Sequence, residues 1–228
     1  AGADMVDIIV HGIGAHGAYP HQGKDPIVIA AQIVNNLQTV VSRELAPRHA
    51  GVITVGAFHS GTKHNIISDR AELQLTVRSL NPEVRAQLLS AIERIAIGTA
   101  RTAGMPEDKL PEVVVDEFSY PPTMNDKAMA KRVKKVLTNK MGDDALIAPA
   151  TTGMGAEDFG FFTMEPYIPS VYFSVGGTPK ADFDRAEAGG EKVGSHHSPQ
   201  FKVSPEPAVK SGVEATVYAL LDLMLSNK

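Results

Sequence analysis

Cysteine is absent from this chain of 228 residues. A disulfide framework and thiol chemistry are therefore excluded, and the composition fits a reducing compartment. The sequence also lacks an apolar run of the roughly 20 residues that a membrane-spanning helix needs. We therefore predict a cytoplasmic protein with no membrane partner.

Positive charge is not in excess either. The net charge is −4, the pI is about 6.1, and no basic run stands out, so nucleic acid is not an expected partner. The opening AGADMVDIIV has no initiator Met and lacks the basic and apolar segments of a signal peptide. With 43% hydrophobic and 21% charged residues, the composition is typical of a globular protein of one large domain or two small ones.

Three of the eight histidines recur at five-residue intervals, at His11, His16 and His21. Dense β-branched apolar residues predict a strand over residues 4–16. Side chains five apart on a regular strand point to opposite faces, so His11 and His16 cannot converge on one ion there. A loop could still bring two of them together, and a metal-binding protein that uses this run stays a third hypothesis.

Periodicity and helix caps predict a βαββαβ order in the first half of the chain. Asp25-Pro26 and Asn81-Pro82-Glu83 are each typical of an N-cap and first turn. Alternating Leu73, Leu75 and Val77 predict a half-buried strand. The predicted strands are 4–16, 51–61, 71–80 and 110–120, and the predicted helices are 26–44 and 82–103. This order is that of the ferredoxin-like split βαβ unit, an antiparallel sheet with both helices on one face.

The remainder of the chain follows a boundary at Pro121-Pro122 and has a different pattern. It is predicted to contain a helix over 125–141, strands over 145–148 and 170–175, a short helix after a glycine-rich loop, a polar loop over 178–194, and a terminal helix from 205. These strands are too few for a self-sufficient parallel α/β sheet. We therefore predict an α+β chain with domains at 4–120 and 121–228, the second of which is half a domain.

Four clusters of polar side chains could carry chemistry. Each has a structural explanation when taken singly: Arg78 ends a strand, where arginines are usually solvated, and Glu157 and Asp158 would complement the dipole of a helix N-terminus. No nucleophile elbow, Walker motif or dinucleotide-binding glycine pattern is present. The clusters are His11–Pro26, His64-Asn65 with Arg78, Gly155–Phe159, and Ser195–Phe201.

Together and in this order, the clusters resemble the aminoacylase, hippurate hydrolase and glutamate carboxypeptidase family of metal-dependent amidohydrolases, especially its hippurate-hydrolase and auxin-conjugate hydrolase branch. The matching segments are GIGAHGAYPHQGKDP, HNIISDRAELQLTVR, GAEDFGFF, PSVYFSVGG and HHSPQF. They cover essentially the whole chain. The resemblance implies a ferredoxin-like lid or dimerisation domain, followed by the C-terminal half of a metallopeptidase α/β domain.

The resemblance assigns roles to three residues of the lid. His16 matches the histidine that polarises the scissile carbonyl, commonly in the active site of the partner subunit. Asn65 and Arg78 match a polar pair that binds the substrate's carboxylate, for which a guanidinium fork is suited. A homodimer through the lid domain is therefore expected.

The resemblance also implies a metal centre. It suggests two divalent ions per intact site, Zn, Mn, Co or Ni, with His197 as one ligand. His196 has no counterpart, and Glu157 and Asp158 match acids near the site whose role is open. The other ligands and the general base would lie before the lid, so we expect this chain to be a fragment that binds metal weakly and is inactive alone.

Two main hypotheses follow. In the first, the intact protein hydrolyses the amide bond of N-acyl amino acids or short peptides in a metal-dependent reaction. In the second, the chain is a naturally truncated, non-catalytic dimerisation or ligand-binding module built on the lid.

Overall fold

The computed structural model of the protein describes residues 1–147, 153–164, 166–194 and 198–225. It divides the chain into two compact units. The first comprises Ala1–Thr123 and Thr152–Ile168, and the second Met124–Thr151 and Pro169–Lys228. The domain boundaries inferred from sequence, 4–120 and 121–228, stay predictions.

The first unit is built on a four-stranded antiparallel sheet in the order β3-β5-β1-β6. The strands of this sheet are β1 (Gly2–His11), β3 (Gly51–Ser60), β5 (Arg70–Ser79) and β6 (Glu112–Val115). A separate two-stranded ribbon pairs β2 (Ala15–His16) with β4 (Ile66–Ile67). Since the long strands and helices follow one another as β1, α1 (Pro26–Thr39), β3, β5, α2 (Pro82–Thr102) and β6, the βαββαβ prediction is confirmed.

Two capped helices complete the first unit, α1 (Pro26–Thr39) and α2 (Pro82–Thr102). The carboxylate of Asp25 accepts a hydrogen bond from the backbone N–H of Ile27, and the side chain of Asn81 accepts one from that of Val84, both at 2.9 Å. Each cap satisfies an N–H that has no partner inside the helix. One π-helical turn, Val40–Glu44, extends α1.

One face of the sheet packs against both helices, because apolar residues alternate along the strands and recur every third or fourth position along the helices. The predicted inward positions are confirmed for Leu73, Leu75 and Val77. The largest buried side chains of this core include Val6, Ile8 and Val10 of β1, Ile33 and Leu37 of α1, and Val84, Leu88 and Ile92 of α2.

A buried ion pair joins the start of β1 to the first turn of α2. The side chain of Asp4 is only 2% exposed, and Arg85 donates to it from Nε at 3.0 Å and from Nη2 at 2.7 Å. Such a fork satisfies both carboxylate oxygens at once. Loss of Arg85 would leave a charge buried without its partner.

The second unit contains three α-helices among the residues that the structure describes. They are α3 (Lys127–Met141), α4 (Lys180–Glu187) and α5 (Pro205–Leu225). α3 and α5 pack through a small core of Val133, Leu137, Ala215 and Ala219. No helix of the described residues is long and apolar enough to span a membrane.

Three predicted elements of the second unit are wrong. Neither 170–175 nor the described part of 145–148 forms a strand, and the predicted polar loop 178–194 contains α4. A strand needs a neighbour for its backbone hydrogen bonds. Here the amide side chain of Asn125 takes that place, donating to the carbonyl of Tyr172 at 2.9 Å and accepting from its N–H at 2.7 Å.

The first strand also ends earlier than predicted, at His11 rather than His16. The N–H of Gly12 donates to the carbonyl of Asp69 at 2.8 Å, which directs the chain out of the sheet. A Cβ on Gly12 would lie 2.6 Å from Cδ of Pro26, so only glycine fits this close approach. The break places His16 in a ribbon of its own.

Candidate functional site

The ribbon brings His16 and Asn65 together. His16 pairs with Ile66 across the two short strands, and the N–H of Gly17 donates to the carbonyl of Asn65 at 2.8 Å. A Cβ on Gly17 would lie 3.0 Å from that carbonyl oxygen, so the approach depends on a glycine. Two side chains that are 49 positions apart in sequence therefore share one exposed tip.

The imidazole of His16 is exposed, and its orientation is defined by its own turn. Nδ1 accepts a hydrogen bond from the backbone N–H of Ala18 at 3.1 Å. The ring of Tyr19 packs against it with the centroids 5.7 Å apart, and the ring of His21 meets Tyr19 edge-on at 6.3 Å. We call these three rings, His16, Tyr19 and His21, the tip cluster.

Arg78 lies elsewhere, near the end of β5, where it is opposite Ala3 of β1 and Val52 of β3. Its Nη1 donates to the backbone carbonyl of Met154 at 2.9 Å. The guanidinium therefore holds the glycine-rich segment against this end of the sheet. The predicted carboxylate-binding residue is half-buried and has a protein partner on one nitrogen.

The backbone nitrogen of Ala1 lies at the same end of the sheet and donates a hydrogen bond to the carbonyl of Gly155. The segment that Arg78 contacts at Met154 is therefore also in contact with the start of β1.

Glu157 and Asp158 stand at the start of a short 3-10 helix, Asp158–Phe162. Both side chains are exposed, and Glu157 makes no capping hydrogen bond to that helix. A carboxylate that is neither buried nor engaged in a cap remains available to a ligand. The structure thus groups Arg78 with the acids predicted to lie near the site.

The three predicted lid residues lie at opposite ends of the sheet, so Asn65 is separated from Arg78, with which it was predicted to bind a carboxylate. His16 and Asn65 leave the sheet beside the His11–Arg70 pairing, whereas Arg78 lies eight residues further along β5. At about 3.3 Å per residue, that stretch of strand spans about 26 Å. Within one chain, these three side chains do not converge on a ligand the size of an amino acid.

Two groups of residues were missed by the sequence patterns. Tyr19 was overlooked, although its place between His16 and Pro20 in AYPH is a usable signal. Phe118, Tyr120 and Phe161 form an aromatic cluster with centroids 5.2–6.0 Å apart, and Tyr120 bridges to Ala3, the residue opposite Arg78. Phe161 is distant in sequence from Phe118 and Tyr120, so no local signal predicts its contact with them.

A metal centre cannot be assembled from the part of the chain that the structure describes. His197, the predicted ligand, lies outside the described residues. Among those described, no group of three or more histidine, aspartate or glutamate side chains could hold an ion. His11, the first of the histidine run, instead pairs with Glu112 at 2.9 Å.

Comparisons with known proteins identify a family to which this chain is similar. The M20 peptidase dimerisation domain family matches residues 1–101. Thermostable carboxypeptidase 2 of Saccharolobus solfataricus is 35% identical over 99% of this chain and 52% of its own length. N-acetyldiaminopimelate deacetylase of Streptococcus thermophilus is 34% identical over 77% of this chain and 45% of its own length.

Solved structures show the same relationship. A protein described as an aminohydrolase from methicillin resistant Staphylococcus aureus superimposes with a TM-score of 0.79 at 28% identity, over 97% of this chain and 52% of that one. The Bacillus subtilis YXEP protein, a dinuclear metal binding peptidase, gives 0.64 at 24% identity, over 96% and 49%, which shows the shared fold. The chain spans about half the length of the curated relatives it matches.

Proposed function

Since the chain belongs to the M20 family of amidohydrolases and peptidases, we propose that it is part of an enzyme that hydrolyses the amide bond of N-acyl amino acids. The family membership confirms the resemblance that the five sequence motifs indicated. Relatives named as a carboxypeptidase and an N-acetyl deacetylase support an amide substrate next to a carboxylate.

The observation that carries this proposal is the separation of His16 and Asn65 from Arg78 along β5. Arg70, beside which His16 and Asn65 leave the sheet, lies about 26 Å from Arg78 by strand rise, whereas an amino-acid substrate is far smaller. In a dimer, both groups can contact one substrate if the tip of one copy, with His16 and Asn65, reaches the Arg78 end of the other copy. The substrate site is then composite, with one contribution from each copy.

The two ends of the sheet have distinct tasks in that composite site. Arg78 has a forked donor set suited to a carboxylate, and its contact with Met154 ties it to the segment that continues to Glu157 and Asp158. His16 extends from an exposed turn, where a partner copy can receive it, and stabilises negative charge on the scissile carbonyl oxygen. Asn65 supplies an amide from the same tip.

The edge of the sheet supports a homodimer. β3 is ten residues long and pairs only with β5 in the described sheet, so its outer edge keeps unpaired backbone groups. Exposed edges of this length favour pairing with another strand. A second copy in antiparallel pairing would satisfy them and extend the sheet.

In this proposal, the whole enzyme binds the metal ions, and this chain alone supplies only part of their ligands. Two divalent ions, Zn, Mn, Co or Ni, would activate water and polarise the carbonyl when bound, with His197 as one ligand. The described residues do not form a ligand set, so no step is assigned to the ions here. We expect this chain alone to bind metal weakly and to be inactive, and we retain a cytoplasmic location as a prediction.

The outer face of α5 supports the view that the chain is part of a longer protein. Val209, Val213 and Val217 are 45–63% exposed along one side of the helix, while the other side packs on α3. A helix that is apolar all round is normally buried all round. We propose that this face packs against the part of the relatives' length that this chain does not cover.

A second candidate function is a non-catalytic dimerisation or ligand-binding module. The first unit favours it, because its core is well formed and its first 101 residues match a dimerisation family. The chain would then act as a naturally truncated module that dimerises or binds a ligand without turnover. An activity measurement separates the two candidates.

The test uses the longer hydrolase that contains this sequence, purified with and without added Mn or Zn. We expect hydrolysis of N-acyl amino acids that is lost with a chelator, is restored by metal, and falls when the substrate's carboxylate is replaced by an amide. Binding without turnover would favour the second candidate. Equal rates for the acid and its amide would contradict the role of Arg78.

A further inference from the structure

The turn that carries His16 uses the histidine's own ring as a cap. The N–H of Tyr19 donates to the carbonyl of His16 at 2.8 Å and closes a four-residue turn. Inside it, the N–H of Ala18 donates to Nδ1 of His16 at 3.1 Å. The side chain thus satisfies a backbone donor two residues ahead, as an aspartate or asparagine does in an Asx turn.

This hydrogen bond determines where a neutral imidazole carries its proton. A neutral ring has one N–H and one lone pair, and the Ala18 bond uses the lone pair of Nδ1. The proton is therefore on Nε2. We infer that this turn holds His16 as the neutral Nε2–H tautomer, a hydrogen-bond donor, with Tyr19 as its positioning residue.

Tyr19 positions His16 by restricting rotation of its ring. A half-turn of the imidazole about χ2 would replace Nδ1 by a carbon and lose the Ala18 bond. The Tyr19 ring lies 5.7 Å from the imidazole at 54°, within the range of favourable aromatic pairs, and opposes that rotation. Tyr19 is itself 53% exposed, so the hydrophobic core does not hold its ring in place. Its edge-on contact with His21, within the tip cluster, does so instead.

The two ring nitrogens of His16 therefore have different roles in the proposed chemistry. With Nδ1 engaged, His16 cannot accept a proton there without losing the Ala18 bond, whereas Nε2–H points away from the turn. The ring is therefore prepared to donate to a carbonyl oxygen on which negative charge develops, and it is not set up as a general base. That carbonyl rests on the proposed function, but the tautomer and its cause do not.

The test is nuclear magnetic resonance of the full 228-residue chain labelled with ¹⁵N, without substrate or metal. We expect a scalar coupling across the hydrogen bond between the Ala18 amide nitrogen and Nδ1 of His16. At a pH where the ring is neutral, Nδ1 should show the shift of an unprotonated nitrogen. The exposed His64 is the internal reference for an unconstrained histidine.

Two variants test the positioning role. Tyr19→Phe keeps the ring and should retain the coupling, whereas Tyr19→Leu should lose it and shift the tautomer ratio toward that of His64. Absence of the coupling in the parent chain, or a proton on Nδ1, would overturn the tautomer assignment. An unchanged coupling in Tyr19→Leu would overturn the role of Tyr19. Because no turnover is measured, a failure here is distinct from a failure of the proposed function.

Discussion

The two ends of the sheet in the first unit contrast sharply in how they hold their polar residues. At one end, His16 and Asn65 sit on an exposed turn held by backbone contacts. At the other, Arg78 is half-buried and tied to Met154. The difference is what the proposed composite site requires, in which the exposed tip enters a partner copy and the Arg78 end receives the ligand.

This contrast is the reason why the proposed site needs two chains. His16 and Asn65 leave the sheet beside Arg70, which lies about 26 Å from Arg78 along β5. In the proposed dimer, the donors at the tip of one copy would reach the Arg78 end of the other, where the carboxylate would be bound. Each of the following predictions tests one end against the other.

The largest effect is expected for His16→Ala in the longer hydrolase. Removing a donor to a developing oxyanion typically lowers kcat by about 10²–10³-fold, with little change in KM. Steady-state kinetics on an N-acyl amino acid measures both constants. His49→Ala, which removes an exposed histidine between α1 and β3, is the matched control and should retain activity. An unchanged kcat in His16→Ala would remove the functional role of the tip.

A change at the other end should act on binding instead. Arg78→Ala is expected to raise KM by about 10–100-fold, the worth of a hydrogen bond to a charged group. Arg78→Lys keeps the positive charge but loses the forked pair of donors. Its KM should therefore lie between that of the parent enzyme and that of Arg78→Ala. Because Arg78 also holds Met154, the comparison is repeated with a substrate whose carboxylate is an amide. If Arg78→Ala weakened the acid and the amide substrates equally, Arg78 would only hold the glycine-rich segment at Met154 and would not bind the carboxylate.

The free energy of unfolding should also be more sensitive to substitutions at the end of the sheet that carries Arg78 than to substitutions at the tip. Arg85→Ala leaves the carboxylate of Asp4 buried beside Ala3, and we expect a loss of about 1–2 kcal/mol, discounted because Arg85 is itself 42% exposed. Urea unfolding of this chain measures it. Arg101→Ala, which removes the exposed pair with Glu107, is the control and should shift the midpoint less. Equal shifts would mean that burial of Asp4 is unimportant.

The smallest stability change is expected at the tip. Gly17→Ala places a Cβ 3.0 Å from the carbonyl oxygen of Asn65 and should cost under about 1 kcal/mol while moving His16 away from Asn65. Gly98→Ala is the control: its Cβ meets nothing within 4 Å, and it should stabilise α2 by up to about 1 kcal/mol. In the longer hydrolase, Gly17→Ala should lower activity, whereas Gly98→Ala should not. Full activity in Gly17→Ala would show that the ribbon geometry is not needed.

Local patterns predicted the first unit well because its signals are local. Strand alternation around Leu73–Val77 and the caps at Asp25 and Asn81 each depend on a few neighbouring residues, and each is confirmed. The contact of His16 with Asn65 is different. It depends on Gly12 ending β1 early, which follows from a close approach to Pro26 that no periodicity reveals.

The second unit was predicted less well for a related reason. A strand at 170–175 requires a partner strand, and the backbone of Tyr172 bonds instead to the side chain of Asn125. α4 was missed because it buries no residue and has no apolar stripe. Its sequence does hold the ion pairs Lys180–Asp184 and Asp182–Arg185 at helical spacing, a signal that apolar periodicity ignores.

The central claim, that the site is shared between two copies, is tested most directly by mixing two impaired variants of the longer hydrolase and assaying them at substrate concentrations well below KM, where both changes lower the rate. His16→Ala and Arg78→Ala are unfolded together and refolded, so that half of the dimers contain one chain of each. Every mixed dimer then has one intact composite site, and about a quarter of the parent activity should return. No recovery from a mixture shown to contain mixed dimers would contradict the claim, because both residues would then have to act within one chain.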